Sequence, residues 1–83
     1  MSWDYRLAHR AVKNLERFPK RDRERIVAAL DGMKLDPFAG DVRPIQGEVN
    51  LYRRRVGSYR IYVRPLAARR LLDIPEITRK QSR

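Results

Sequence analysis

Residues 51–64, LYRRRVGSYRIYVR, are two short alternating runs separated by only two residues, Gly57-Ser58. A two-residue connection containing glycine is what the primed hairpin turns use, because their backbone twist matches that of the strands they join. The stretch is therefore predicted to be a β-hairpin. Side chains on a strand alternate between faces, so Arg53 and Arg55 fall on one side and Tyr52, Arg54 and Val56 on the other. On the second strand Tyr59, Ile61 and Val63 form the apolar set, leaving Arg60, Tyr62 and Arg64 opposite. If both apolar sets cover a core, Arg53, Arg55 and Arg60 share the open face, with Tyr62 beside them. Arg54 does not fit this division. Either its strand lies near an edge where the long stem can run out to water, or the register is displaced by one residue, which flips every assignment.

The core partner is legible upstream. Ala8, Ala11, Val12, Leu15 and Phe18 recur at helical spacing, and Pro19 ends that helix. In RDRERIVAALDGMKLDP, Ile26, Leu30 and Met33 make one stripe, widened by Val27 and Ala29, and Asp36-Pro37 closes the element because a residue before proline is pushed out of the helical region. Two amphipathic helices joined by a tight Pro-containing turn predict an antiparallel helical hairpin. SWDYRL, residues 2–7, reads as a short opening strand, FAGDVRPIQGEVN as a loop, RRLLDIPEI as a last strand cut short by Pro75, and TRKQSR as a polar tail. The expected fold class is α+β: one domain over residues 1–83, with the N-terminal helical hairpin packed on one face of a small antiparallel sheet of three to four strands.

Twenty Lys and Arg face ten Asp and Glu, a formal charge of +10, in a chain that is still 42% hydrophobic. The apolar share can build a core, so the charge belongs to a folded surface and calls for a polyanionic partner. The absence of cysteine removes disulfide scaffolds and thiolate metal sites. The single histidine, His9, is expected to be structural or exposed. No metal site, no cofactor and no glycine-rich phosphate loop is expected. The N-terminus has no apolar signal segment and no run is long enough to span a bilayer, so a cytoplasmic protein without membrane contact is the expectation.

Three guanidiniums held together on a hairpin repel one another unless something anionic lies against them. Their planar paired donors suit phosphate in a way that lysine cannot copy. Tyr62 can stack on a base in single-stranded RNA or donate through its hydroxyl. The alternative for the same residues is a solvated hairpin face. If the protein is an enzyme, its chemistry must rest on Arg, Lys and Tyr. Cleavage of a phosphodiester by the neighbouring ribose 2′-hydroxyl fits that restriction, since the nucleophile belongs to the substrate and the protein orients it and neutralises charge.

NLYRRRVGSYRIYV resembles the central hairpin of the RelE/ParE superfamily of toxins from toxin-antitoxin systems. RAVKNLERFPKRDRERIVAALDGMKLDP is similar to that family's helical hairpin with its Pro-Lys turn and closing Asp-Pro. PIQGE looks like the element before the hairpin, and RRLLDIPEITRK like the last strand and basic tail. The resemblance implies a RelE-like fold and a toxin held by a cognate antitoxin, with operator DNA reached only through that antitoxin. Its RelE-like branch implies a ribosome-dependent endoribonuclease that cleaves mRNA in the A site, contacting ribosomal RNA, and so inhibits translation. The alternatives are a ParE-like inhibitor of DNA gyrase and a catalytically weak basic module acting only in a repressor complex.

Carried over by position, the resemblance implies catalytic roles for Arg53, Arg55, Arg60 and Arg79, or Lys80 if the tail is shifted by one. RNA contacts are expected from Lys80, Tyr62, Arg64 and Arg54. Two departures stand out: Arg54 occupies a position that is usually hydrophobic, and the tyrosine that closes many RelE-like sequences is missing. Arginine is a poor substitute as a base because it stays protonated, which leaves Tyr62 or Tyr59 to contribute.

Overall fold

A computed structural model describes residues 2–80, so Met1 and the last three residues of the expected polar tail lie outside the described residues. Phe18 and Pro19 both adopt extended backbone, as proline demands of the residue before it. The first helix, α1 (His9–Arg17), therefore stops where the second, α2 (Lys20–Met33), begins. Arg23 Nη1 donates to the Phe18 carbonyl at 2.9 Å across this turn. Ala11 and Leu15 of α1 and Ile26, Leu30 and Met33 of α2 are buried as their spacing predicts. Val12, expected on the first stripe, and Val27, expected to widen the second, are instead each 39% exposed.

The helices lie on a mixed sheet of six strands: β1 (Asp4–Leu7), β2 (Val42–Pro44), β3 (Tyr52–Val56), β4 (Tyr59–Leu66), β5 (Leu71–Ile74) and β6 (Ile77–Arg79). Their order is β1-β5-β4-β3-β2, with β6 also paired to β4. The α+β architecture is the one expected, but the sheet is larger than three to four antiparallel strands. Val42–Pro44, in the segment expected to be a loop, pairs with β3, and Ile77–Arg79, reaching into the expected polar tail, pairs with β4. Three residues beside Gly and Pro carry too little alternation to be told from a loop. The pairing of β1 with β5 is parallel. Both helices and the hairpin intervene between those two strands, and only a crossover of that length can bring strands side by side in parallel.

The hairpin forms with the expected register. Arg53 faces Tyr62, Arg55 faces Arg60, Arg54 faces Ile61, and Val56 faces Tyr59. Gly57 has φ +57° while Ser58 is outside the left-handed region, the pattern of a type II′ turn. A β-carbon at Gly57 would also lie 3.1 Å from an Arg25 guanidinium nitrogen. Tyr59, Ile61 and Val63 of β4 meet Leu72, Ile74 and Ile77 under the helices, forming one core.

Between β5 and β6 the pairing along β4 slips by one residue. Arg64 faces Asp73, so an unbroken ladder would set Ile77 against Arg60. The observed partner of Arg60 is Thr78, and Ile77 faces Ile61. One extra residue is thus absorbed at Pro75-Glu76 as a β-bulge. Pro75 has no N–H to give to a ladder, and the Glu76 carbonyl accepts from Tyr62 N–H at 3.1 Å. The bulge exchanges the faces of everything after it. Ile77 enters the core, fully buried, and Thr78 turns to the side of Arg60.

Candidate functional site

The antiparallel ladder puts Arg55 and Arg60 directly opposite each other, with Arg53 and Tyr62 as the next pair on the same face. Cross-strand partners of this kind stand about 4.5–5.5 Å apart at Cβ. Past the end of β6, Lys80 N–H donates to the Ser58 carbonyl at 2.6 Å, which ties the chain to the hairpin turn. Lys80 then lines one small hollow together with Arg53, Arg55, Gly57, Ser58, Tyr59 and Arg60. Its volume is about 40 Å³, close to the share of one water in the liquid, about 30 Å³. A phosphate oxygen fits such a hollow and a nucleobase does not.

The hollow is strongly electropositive. The five ion pairs among the described residues engage Arg6, Arg10, Lys13, Lys34 and Arg43. None of Arg53, Arg55, Arg60 and Lys80 takes part in one. Arg55 Nε reaches the Gly57 carbonyl at 3.5 Å, and Arg53 Nε is shut off from solvent without a hydrogen-bond partner. An orphaned donor beside three further cations leaves this hollow with an unpaired donor and with positive charge that no ion pair among the described residues offsets.

The other residues read from the sequence distribute as follows. Tyr62 lies on the open face opposite Arg53. Arg64 is on the same face but four residues beyond Arg60, about 13 Å along the strand, and it faces Asp73, whose carboxylate binds Arg6 Nε at 3.0 Å. Arg79 faces Tyr59 on the helix side and holds its guanidinium carbon 5.6 Å from the Tyr59 ring centroid. The structure therefore brings Lys80, not Arg79, to Arg53, Arg55 and Arg60. Arg54 stands on the helix side too, opposite Ile61, which keeps the predicted register and leaves Arg54 apart from the cluster.

Tyr59 is withdrawn from the open face. Its ring is 4% exposed and packs on Phe18 at 4.6 Å between centroids. Its hydroxyl donates to Asp22 Oδ2 at 2.6 Å. Burial first, then the hydrogen bond and the charge of Asp22, raise its pKa above the usual 10.0, against the opposing pull of Arg79 and Arg25. The hydroxyl is a structural donor that joins α2 to the hairpin turn, a role alternation alone cannot distinguish from an exposed one.

The unfolded phenol loses its proton first as the pH rises, so the folded state then binds more protons and stability falls. Tyr59 accordingly contributes fully below about pH 10 and its contribution is lost as the pH climbs through the higher folded value. Tyr59→Phe is expected to cost about 1.5–3 kcal/mol near neutrality, the range for a bond to a charged acceptor. Urea midpoints for the two proteins should converge above about pH 10; a constant gap across that range would remove the role given to the Asp22 bond.

No protein family profile and no curated protein sequence matches the chain. Solved structures do. The toxin-antitoxin complex RelBE2 of Mycobacterium tuberculosis matches with a TM-score of 0.87 at 18% identity, over 96% of this chain and 100% of that one. An archaeal RelE-RelB complex from Pyrococcus horikoshii matches with a TM-score of 0.85 at 23% identity, over 100% of both chains. The isolated RelE toxin of E. coli matches with a TM-score of 0.84 at 13% identity, over 99% of this chain and 88% of that one. The fold of the chain is that of the RelE toxins.

Proposed function

We propose that a protein with this fold and this hollow is the toxin of a toxin-antitoxin pair, and that it cleaves messenger RNA on the ribosome. The observation that carries the reading is the convergence of Arg53, Arg55, Arg60 and Lys80, without carboxylate partners, on one small hollow that admits a phosphate oxygen. In the reaction the substrate's own 2′ oxygen bonds to phosphorus while the bond from phosphorus to the 5′ oxygen breaks. One fragment ends in a 2′,3′-cyclic phosphate and the other begins with a 5′-hydroxyl. The pentacovalent phosphate gathers negative charge, and guanidiniums already held in place by the ladder stabilise it without reorganising. Arginine cannot exchange a proton at working pH. Removal of the 2′ proton and delivery of one to the 5′ oxygen are assigned to Lys80 and Tyr62, which share this face with the arginines.

A hollow that admits little more than one phosphate oxygen does not by itself bend a flexible RNA into the in-line geometry that the attack needs, so in this reading the ribosome supplies that alignment. This also sets the place of action in the cytoplasm. The RelE proteins of the M. tuberculosis and P. horikoshii complexes are bound by RelB partners, which supports a cognate antitoxin for this chain.

The test is a purified translation system in which transcript ends are mapped with and without ribosomes engaged on the message. Cleavage is expected only on the translated message, leaving 5′-hydroxyl ends. Equal cleavage of free RNA removes the ribosome from the reading, and intact transcripts with blocked gyrase supercoiling replace it with a gyrase inhibitor.

A further inference from the structure

Arg54 is the guanidinium of the hairpin that the hollow does not use. It leaves β3 on the helix side between Tyr52 and Val56. There α2 and the loop after it present small residues, and a half-open cavity of about 180 Å³ is lined by Ala28, Ala29, Gly32, Met33, Asp36, Ala39, Gly40 and Arg54. The guanidinium lies so near Gly40 that a β-carbon there would come within 2.5 Å of Nη1 and 2.6 Å of Cζ. Gly40, at φ +81°, thus serves both the loop's backbone and the arginine's position.

Within this cavity the guanidinium is short of partners. Nη1 donates to the Arg55 carbonyl at 3.0 Å, while Nε is closed to solvent and has no acceptor. The acid in the cavity wall, Asp36, uses its Oδ1 to accept Phe38 N–H at 3.1 Å, and no ion pair among the described residues includes Arg54. A partly desolvated cation with an orphaned donor is unfavourable unless an anion completes it.

We propose that the Arg54 cavity is a receptor for one carboxylate, delivered as an aspartate or glutamate side chain of a protein partner that docks over the segment from α2 to β2. The apolar walls from Ala28, Ala29, Ala39 and Met33 suit the methylene stem of such a side chain. The guanidinium fork pairs with a carboxylate through two parallel N–H donors. Asp36 in the wall tolerates a single added negative charge better than the denser charge of a nucleic-acid backbone. The surroundings favour a protein as the bearer. Phe38 is 52% exposed and Leu35 80% exposed in the same segment, and Phe38 stands edge-on to Tyr52 at 5.2 Å between centroids. An acid flanked by apolar residues covers cation and apolar surface together, and the +10 charge of the chain favours encounter with an acidic partner. That this partner is the antitoxin rests on the proposed function; the carboxylate receptor does not.

The experiment follows the arginine Nε–H and backbone amide resonances of the full chain during titration with N-acetylglutamate N-methylamide, which carries one carboxylate, and separately with inorganic phosphate. The glutamate analogue is expected to shift Arg54 Nε–H and the amides of Gly32, Ala39 and Gly40 saturably, with a midpoint on the order of millimolar. Phosphate is expected to shift Arg53, Arg55 and Arg60 instead. Arg54→Leu should abolish the first response and keep the second. Arg54→Lys, which retains the charge and stem but lacks the fork, should weaken the first about tenfold and serves in place of the leucine variant if that one does not fold. Shifts confined to the open face, or equal competition by phosphate at Arg54, overturn the proposal. Since no RNA or ribosome is present, this outcome is independent of whether transcripts are cleaved.

Discussion

Replacing Arg60 with alanine is expected to slow transcript cleavage by about 10²–10³-fold, the loss seen when one preorganised donor to a developing oxyanion is removed. Arg60 sits next to the hairpin turn, directly across from Arg55, and lines the hollow together with Arg53 and Lys80. The same substitution should leave folding intact or slightly improve it. Like charges placed opposite one another in a ladder are unfavourable, so deleting one relieves the other. Activity and stability therefore move in opposite directions, which separates loss of a charge-stabilising group from general damage. Arg60→Lys keeps the charge but loses the fork, and an intermediate rate is expected. Rates of cleavage in the translation system and thermal denaturation of the same preparations are the paired measurements. Cleavage that persists when Arg53, Arg55 and Arg60 are all replaced would falsify the assignment.

The second large effect is expected in the core. Ile61 is fully buried and sits on β4 between two paired strands, facing Arg54 on one neighbour and Ile77 on the other. Ile61→Ala should destabilise the protein by about 2–5 kcal/mol, the transfer loss plus the cavity left behind. In a domain of this size each kcal/mol lowers the melting temperature by about 4–8 °C. Because Ile77 loses its opposite number, β6 should loosen along with the core. Amide exchange at Lys80, whose N–H holds the Ser58 carbonyl, should then rise more than exchange in α1. A variant with uniform exchange and an unchanged melting temperature would show that Ile61 does not key β6 to the sheet.

These two residues also show how far local pattern reaches. Arg60 and Ile61 are adjacent, and strict alternation alone assigns one to the open face and the other to the core, as the register bears out. The same alternation collects Arg53, Arg55 and Tyr62 on the face of Arg60, because a two-residue turn leaves the hairpin no other register. The stripe Ile26, Leu30 and Met33 is legible for the same reason: helical period is a property of consecutive residues. Val12 and Val27 depart from it because how wide a stripe is covered depends on where the neighbouring helix and the sheet lie.

Arg79 and Lys80 are the contrasting case. Read as an uninterrupted strand, residues 71–80 place Ile77 toward the arginines, and nothing in ten letters announces that one residue will be spent as a bulge. The bulge follows from pairing with β4, more than a dozen residues away, where Ile77 gains burial only if the register slips at Pro75. That slip delivers Lys80 to the hollow and turns Arg79 onto Tyr59. Arg54 is similar: its place on the core side is legible from alternation, yet its guanidinium has room only because Gly40, fourteen positions away in sequence, carries no β-carbon.

By itself the sequence determined the elements whose periods are local, the division of the hairpin into two faces, and a large surplus of positive charge. Tertiary structure decided the parallel placement of β1, the extra strands, the exchange of Arg79 for Lys80, and the pocket that holds Arg54. Each of those depends on burial against a partner remote in the chain, and burial free energy is a property of the assembled surfaces and not of any segment read alone.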